Sequence, residues 1–194
     1  EESKVKDYLT YLGSRPRREG GSRKAQIAFW INAYNAHVLA LILKHQPEKS
    51  ILEIKTPDGL SVWTEKSLEM EGVNYSLDQI ENEILRPNFK EPRIHFALNC
   101  GSTSCPALRR ELYNESDLER QLEEQTINFL KNVKFNHITK TDLKLSQIFN
   151  WFGSDFGEKS ELIQWLNQYS PTKIAPSATI TFLPYDWSLN SQKQ

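Results

Sequence analysis

The chain is poor in sulfur and has no excess of either charge. Its 194 residues include two cysteines, Cys100 and Cys105. Two are too few for the disulfide framework of a small secreted scaffold. Twenty-four basic residues stand against 25 acidic ones, for a formal net charge of −1. A nucleic-acid binder shows a basic excess, so no nucleic-acid partner is expected. The basic cluster of Arg15, Arg17, Arg18, Arg23 and Lys24 is interleaved with Gly20, Gly21 and Ser22 and reads as a solvated loop. No CxxC or HExxH spacing occurs, so neither a metal nor a cofactor is expected. Internal repeats and long linkers are also missing, which points to one domain over residues 1–194. The chain opens on EESKVKDYL, which is no signal peptide. A mature form would have lost such a segment, so these residues leave the compartment open.

Aromatics, by contrast, are plentiful. Nine Phe, seven Tyr and five Trp exclude an intrinsically disordered chain. The longest apolar run, AQIAFWINAYNAHVLALIL at 25–43, approaches the ~20 residues that span a bilayer. It contains Gln26, Asn32, Asn35 and His37, so it reads as a buried central helix and not a membrane span. Ser22 is placed to cap it and Pro47 to end it. Being apolar almost all round, it needs other elements on every side.

The remaining pattern alternates helix and strand signals. Val5, Tyr8, Leu9 and Leu12 share one helical face over 3–12, and Gly13 stops that helix. PDG at 57–59 is a turn, and KSLEMEGVNYS reads as a β-hairpin about Glu71-Gly72. Ser76 with Gln79, and Ser116 with Glu119, have capping-box spacing at the starts of two helices, the first closed by Pro87. RIHFAL at 93–98 reads as an interior strand, with Asn99–Pro106 as the loop leaving it. VKFNHI with DLKLS reads as a strand pair, IFNWFGSDF and ELIQWLNQY as helices, and ITF as a last strand. The expected fold is α+β: a long buried helix packed against a small, mainly antiparallel sheet, with several peripheral helices.

The chemistry concentrates in HFALNCGSTSC, residues 95–105. A cysteine becomes nucleophilic where a histidine or free backbone amides stabilise its thiolate. Cys100 opens a loop of small residues, and the amides of Gly101 and Ser102 can converge on an oxyanion. His95 is the nearest base in sequence, yet five extended residues span about 16 Å, so the loop must fold back for the two to meet. A satisfied core histidine is the plainer reading of His95. His37, on the central helix, is a second candidate base; His45 and His137 are less well placed. Two independent thiols are expected, with a Cys100–Cys105 disulfide as the competing account. Glu81, on the short helix before Pro87, is either solvated or orients a histidine as the third member of a triad. Asn32 and Asn35 share a helix face and need buried partners, since an unpaired amide costs roughly 1–3 kcal/mol. They brace a loop or touch substrate.

Five blocks resemble one family: AFWINAYNA, YSLDQIENEILR, PRIHFALNCGSTSCP, LSQIFNWFGSDFG and FLPYDWSLN. It is DUF547, a domain of unknown function found in bacteria and plants, and the likeness runs from about residue 5 to 190. The resemblance brings no reaction. It implies that Glu81, His95, Cys100 and the Asn pair are where to look, and that a periplasmic or secreted home is favoured. It also implies that Cys100 is the more telling sulfur, some plant relatives having serine at the position of Cys105. Two departures stand out. The family pattern often has a histidine where this chain has Asn82, and further sequence precedes this point, which implies a truncated or processed N-terminus.

Two functions follow. One is a cysteine-dependent hydrolase or acyltransferase acting on amide or thioester bonds of a small-molecule or peptide-like substrate. In it Cys100 attacks, His95 or His37 takes the proton, Glu81 orients the base, and the loop about Asn99, Gly101 and Ser102 supports the oxyanion. The other is a non-catalytic peptide-, glycan- or protein-binding module, built on Trp151, Phe152, Trp165, Tyr185 and Trp187.

Overall fold

The computed structural model describes residues 2–14, 21–56, 59 and 61–190. The basic loop at 15–20 and most of the PDG turn lie outside the described residues. Helix α1 covers Glu2–Gly13 and α2 covers Arg23–His45. The Ser22 hydroxyl accepts from the Ala25 amide at 3.2 Å, as the sequence predicts. Gln46, left-handed with φ 45°, ends α2 one residue before Pro47. Twelve α2 residues, from Ala25 to Leu41, are buried, which confirms a helix enclosed by the rest of the chain. By length and composition α2 could also cross a membrane; 56% of its most apolar window is buried inside this fold.

The apolar residues form two clusters. The first gathers α2 (Ile27, Ile31, Val38), the hairpin of β1 (Leu68–Met70) and β2 (Val73–Tyr75), and Ile80, Leu85 and Ile94. Strands β1 and β2 are antiparallel, joined by Glu71 and Gly72, whose φ values of 50° and 74° match a type I′ turn. Trp30 of α2 meets Tyr75 of β2 edge to face at 5.3 Å, a point of contact between the central helix and this hairpin.

The second cluster is aromatic, centred on Phe96, Phe129, Phe149 and Phe156. It lies between α4 (Leu118–Lys131), α5 (Ile148–Trp151), α6 (Gly153–Phe156), α7 (Lys159–Tyr169) and a three-stranded sheet. In that sheet β3 (His137–Ile138) runs antiparallel to β4 (Asp142–Leu145), and β5 (Thr179–Phe182) parallel to it. The α+β class holds, with one parallel pairing added.

Three local expectations change. RIHFAL is not a strand: Pro92–Phe96 is a 3₁₀ turn. Pro92 presets its φ, and Glu91 accepts from the Arg93 amide at 3.3 Å, capping it. A six-residue, mostly apolar run cannot by periodicity tell a buried strand from a buried turn of helix. Ser116 and Glu119 do not form a capping box; Ser116 bonds Asn114, and Glu119 reaches Arg93 at 2.8 Å. The Ser76–Gln79 box is present in both directions, but the helix it opens does not stop at Pro87. It is a π-helix over Gln79–Leu85 running into α3, Arg86–Phe89.

His37 is buried on α2, its Nε2 3.0 Å from Ser67 Oγ. Burial and then the nearby Lys44 charge lower its pKa to about 4. The neutral ring is favoured in the fold, so its contribution is complete above the unfolded pKa of 6.5 and is lost as pH falls towards 4. Urea unfolding at pH 7 and pH 4 should therefore show wild type losing about 3 kcal/mol more than His37→Asn. Parallel losses in the two proteins would contradict this assignment.

Candidate functional site

The two clusters meet along the 3₁₀ turn. Ile94 joins the first and Phe96 the second, leaving His95 between them. The turn is pinned from outside: the Arg93 guanidinium forks onto Glu91 at 2.7 Å and reaches Glu119 of α4. Gln125 donates to the carbonyls of Phe96 and Ala107, at 3.0 and 2.7 Å. His95 is therefore fixed by the backbone as well as by its own contacts.

His95 is 3% exposed and stacks on Phe152 at 4.1 Å. Its Nε2 lies 2.7 Å from Asp155 Oδ2. Asp155 also receives a two-pronged contact from Arg86, with Nε to Oδ2 at 2.6 Å and Nη2 to Oδ1 at 3.0 Å. The Arg86 guanidinium also lies 4.9 Å from the centre of the Phe152 ring. On the other side, Glu81 Oε1 is 3.7 Å from His95 Nδ1. That is an ionic contact too long for a hydrogen bond, so Nδ1 is buried without a hydrogen-bond partner. Burial alone would push the imidazole pKa down; the Asp155 and Glu81 carboxylates outweigh it and leave the pKa raised. Burial likewise opposes the Asp155 charge, but His95 and Arg86 hold its carboxyl well below the usual range. An ionised Asp155 requires His95 Nε2 to be the N–H donor, so the neutral ring presents its Nδ1 lone pair.

The π-helix supplies the adjoining acids. Asn82 donates to Asp78 at 2.8 Å and accepts from Arg86 at 2.7 Å. The Asn82 amide thus steadies the arginine holding Asp155. Single π-turns inside helices recur at functional sites.

These groups border a cleft of about 220 Å³. Its walls include Glu81, His95, Asp78, Cys100 and Cys105, and the rings of Trp63, Trp151, Tyr185 and Trp187; Asn99, Gly101 and Ser102 are not among them. Cys100 and Cys105 form a disulfide, with Cα atoms 6.1 Å apart. The expected pair of independent thiols is therefore corrected, and with it Cys100 as a ready nucleophile: its sulfur is already bonded. The loop closes so tightly because Gly101 has φ 80° and no side chain; a Cβ there would lie 2.6 Å from Ile42 Cδ1. Asn99 ties the loop from within, accepting from the Gly101 amide and donating to the Pro106 carbonyl. Ser102 Oγ donates to the Tyr185 hydroxyl at 3.0 Å, and that hydroxyl lies 3.3 and 3.2 Å from the two sulfurs. Burial pushes the Tyr185 pKa up to about 12, so the phenol keeps its proton.

The two asparagines of α2 bond backbone groups. Asn32 clamps the Tyr113 backbone through both its amide atoms, and Asn35 clamps Ala97 and Asn99 in the same way. His37 does not border the cleft. Glu81 and His95 are brought together as expected. Asp155, Arg86 and Trp63 were not singled out from the sequence. Asp155 and Arg86 lie inside blocks already marked as family-like, at GSDFG and EILR, which is the only signal the residues offered. Among the described residues, no group of three or more His, Cys, Asp or Glu is arranged to hold a metal ion.

The fold and cleft define an α+β protein with a buried histidine between two half-buried carboxylates under an aromatic wall. The chain belongs to the DUF547 family, described as a protein of unknown function; the family model matches residues 19–130, more than half of the chain. No curated protein and no solved structure matches it. The family segment contains Glu81, His95 and both cysteines, whereas Trp151, Asp155, Tyr185 and Trp187 lie beyond it.

Thiol titration of the unreduced, denatured protein should find no free thiol. Replacing both cysteines by serine should lower unfolding stability by about 2 kcal/mol, as expected for opening a loop this short. Two titratable thiols in freshly purified protein would overturn the disulfide.

Proposed function

We propose that the cleft is the active site of a hydrolase or transferase acting on an acyl bond, amide or thioester, of a small-molecule or peptide-like substrate. The observation that carries this reading is the buried Nδ1 of His95, without a hydrogen-bond partner at the cleft wall, on a ring whose other nitrogen is held by Asp155. A histidine so oriented is a general base: the carboxylate behind it fixes the tautomer and stabilises the imidazolium that forms.

In this scheme Nδ1 takes the proton of an attacking water or acceptor hydroxyl as its oxygen adds to the substrate carbonyl. Glu81, 3.7 Å away, and Asp155 share the charge of the resulting imidazolium. The Tyr185 phenol, still protonated and held only weakly by sulfur, turns its O–H to the developing oxyanion. The imidazolium then returns its proton to the leaving group. Sulfur has no covalent part while Cys100 and Cys105 are joined; attack by Cys100 requires their reduction first. Disulfides persist in oxidising compartments, which supports a periplasmic or secreted location.

A panel of small amides, esters and thioesters, assayed without reductant, tests the scheme. His95→Asn should lower kcat/KM by about 10²–10⁴-fold while the protein stays folded. The wild-type rate should rise with pH along a limb set by an apparent pKa above 6.5, because the base must lose its proton. Asp155→Asn removes the anion that raises that pKa, so its limb should move to lower pH. A His95→Asn protein that keeps its rate rules the scheme out. The second reading, a binding module, rests on the aromatic wall and would be supported by ligand binding with no turnover of any bond in the panel.

A further inference from the structure

The charges and rings around the cleft restrict what fits inside it. Trp63 forms one wall. Trp151, Tyr185 and Trp187 form another, each ring within 4.7–5.7 Å of the other two. Trp151 is 46% exposed despite its size, so this wall has an open face. Asp78 and Glu81 are the carboxylates of the lining, and among the described residues no lysine or arginine borders it.

The nearby ions do not cancel. Asp155 is matched by Arg86 and by His95 when the ring is protonated. Counting Asp78, Glu81 and Asp155 against Arg86 and His95⁺ leaves one negative charge in surplus; with a neutral imidazole the surplus is two. Aromatic faces carry negative quadrupole potential, and a desolvated box of them attracts an ammonium group while a neutral isostere gains only its apolar contact. An anionic ligand would meet repulsion from both the rings and the carboxylates.

We infer that the cleft selects a cationic ligand, an alkylammonium group carried by a small molecule, seated against the Trp151–Tyr185–Trp187 wall with Glu81 and Asp78 as counter-ions. This inference rests on the cleft being the working site, as proposed above, and names the substrate class. It adds roles for Trp151 and Asp78 that proton transfer does not require. The cation binds by its face contacts, leaving its acyl bond to reach towards His95.

Binding alone tests it. Indole N–H shifts and tryptophan fluorescence are followed during titration with choline, its neutral isostere 3,3-dimethylbutan-1-ol, and benzoate. The ammonium should bind at least tenfold more tightly than the neutral alcohol, and benzoate should not bind. Trp151→Ala, a change at an exposed ring that leaves the core intact, should weaken the ammonium about tenfold, with Trp151→Phe recovering part of the loss. Asp78→Asn should weaken the ammonium while leaving the alcohol unchanged. Equal or tighter binding of the alcohol or of benzoate overturns the inference, as does a failure of the ammonium to bind at all. These outcomes do not depend on turnover. Cation binding with an inert reaction panel would sink the catalytic reading alone; turnover of neutral acyl substrates without cation binding would sink this inference alone.

Discussion

The hydrogen bond between His95 and Asp155 is the constraint on which the site depends. It joins residues 60 apart in sequence, one from the 3₁₀ turn and one from α6, across the seam between the two apolar clusters. A buried imidazole without an anion would be neutral and indifferent to orientation. With Asp155 on Nε2 it has one tautomer, one facing and a raised pKa. Arg86 keeps Asp155 ionised, and Asn82 keeps Arg86 in place, so the setting of one ring is passed back to the π-helix. Removing one member of such a set leaves its partner charged and poorly solvated, which costs more than the pair itself gains.

Everything else at the cleft is arranged around that ring. The asparagines of the central helix hold the backbone at Tyr113, Ala97 and Asn99. The disulfide performs a similar service for the 100–105 loop, with Tyr185 laid against its sulfurs. In the proposed scheme the chemistry moves from sulfur to imidazole and phenol. Cys100 and Cys105 shape a wall, and the titratable groups beside them carry the charge.

How much of this was legible depends on the range of each signal. Local chemistry was read well: the Ser22 cap, the Glu71-Gly72 hairpin, the Ser76–Gln79 box and the enclosed central helix all rest on residues within a few positions of one another. RIHFAL failed because so short a run, with four apolar residues, fits a buried turn as well as a strand, and the deciding signals, Pro92 and the Glu91 cap, were just outside the pattern. Pro87 misled because it falls in the first turn of α3, where the missing N–H has no intrahelical bond to make. Glu81 and His95 were both marked, yet their contact is tertiary, and Asp155 carried no local signal beyond lying in GSDFG. Nor did spacing decide between two thiols and one disulfide; that required the two Cα atoms to be brought within 6.1 Å by the fold of the loop.

The central claim is that Asp155 fixes the proton on Nε2 and leaves Nδ1 as a base. Nitrogen-15 NMR of histidine-labelled protein across pH 5–9 measures this directly, since the two ring nitrogens shift differently when protonated. The account predicts that above its titration His95 is the Nε2–H tautomer, with a pKa above 6.5 that falls in Asp155→Asn. A His95 ring found as the Nδ1–H tautomer, or titrating below 6.5 in the wild-type protein, would contradict it.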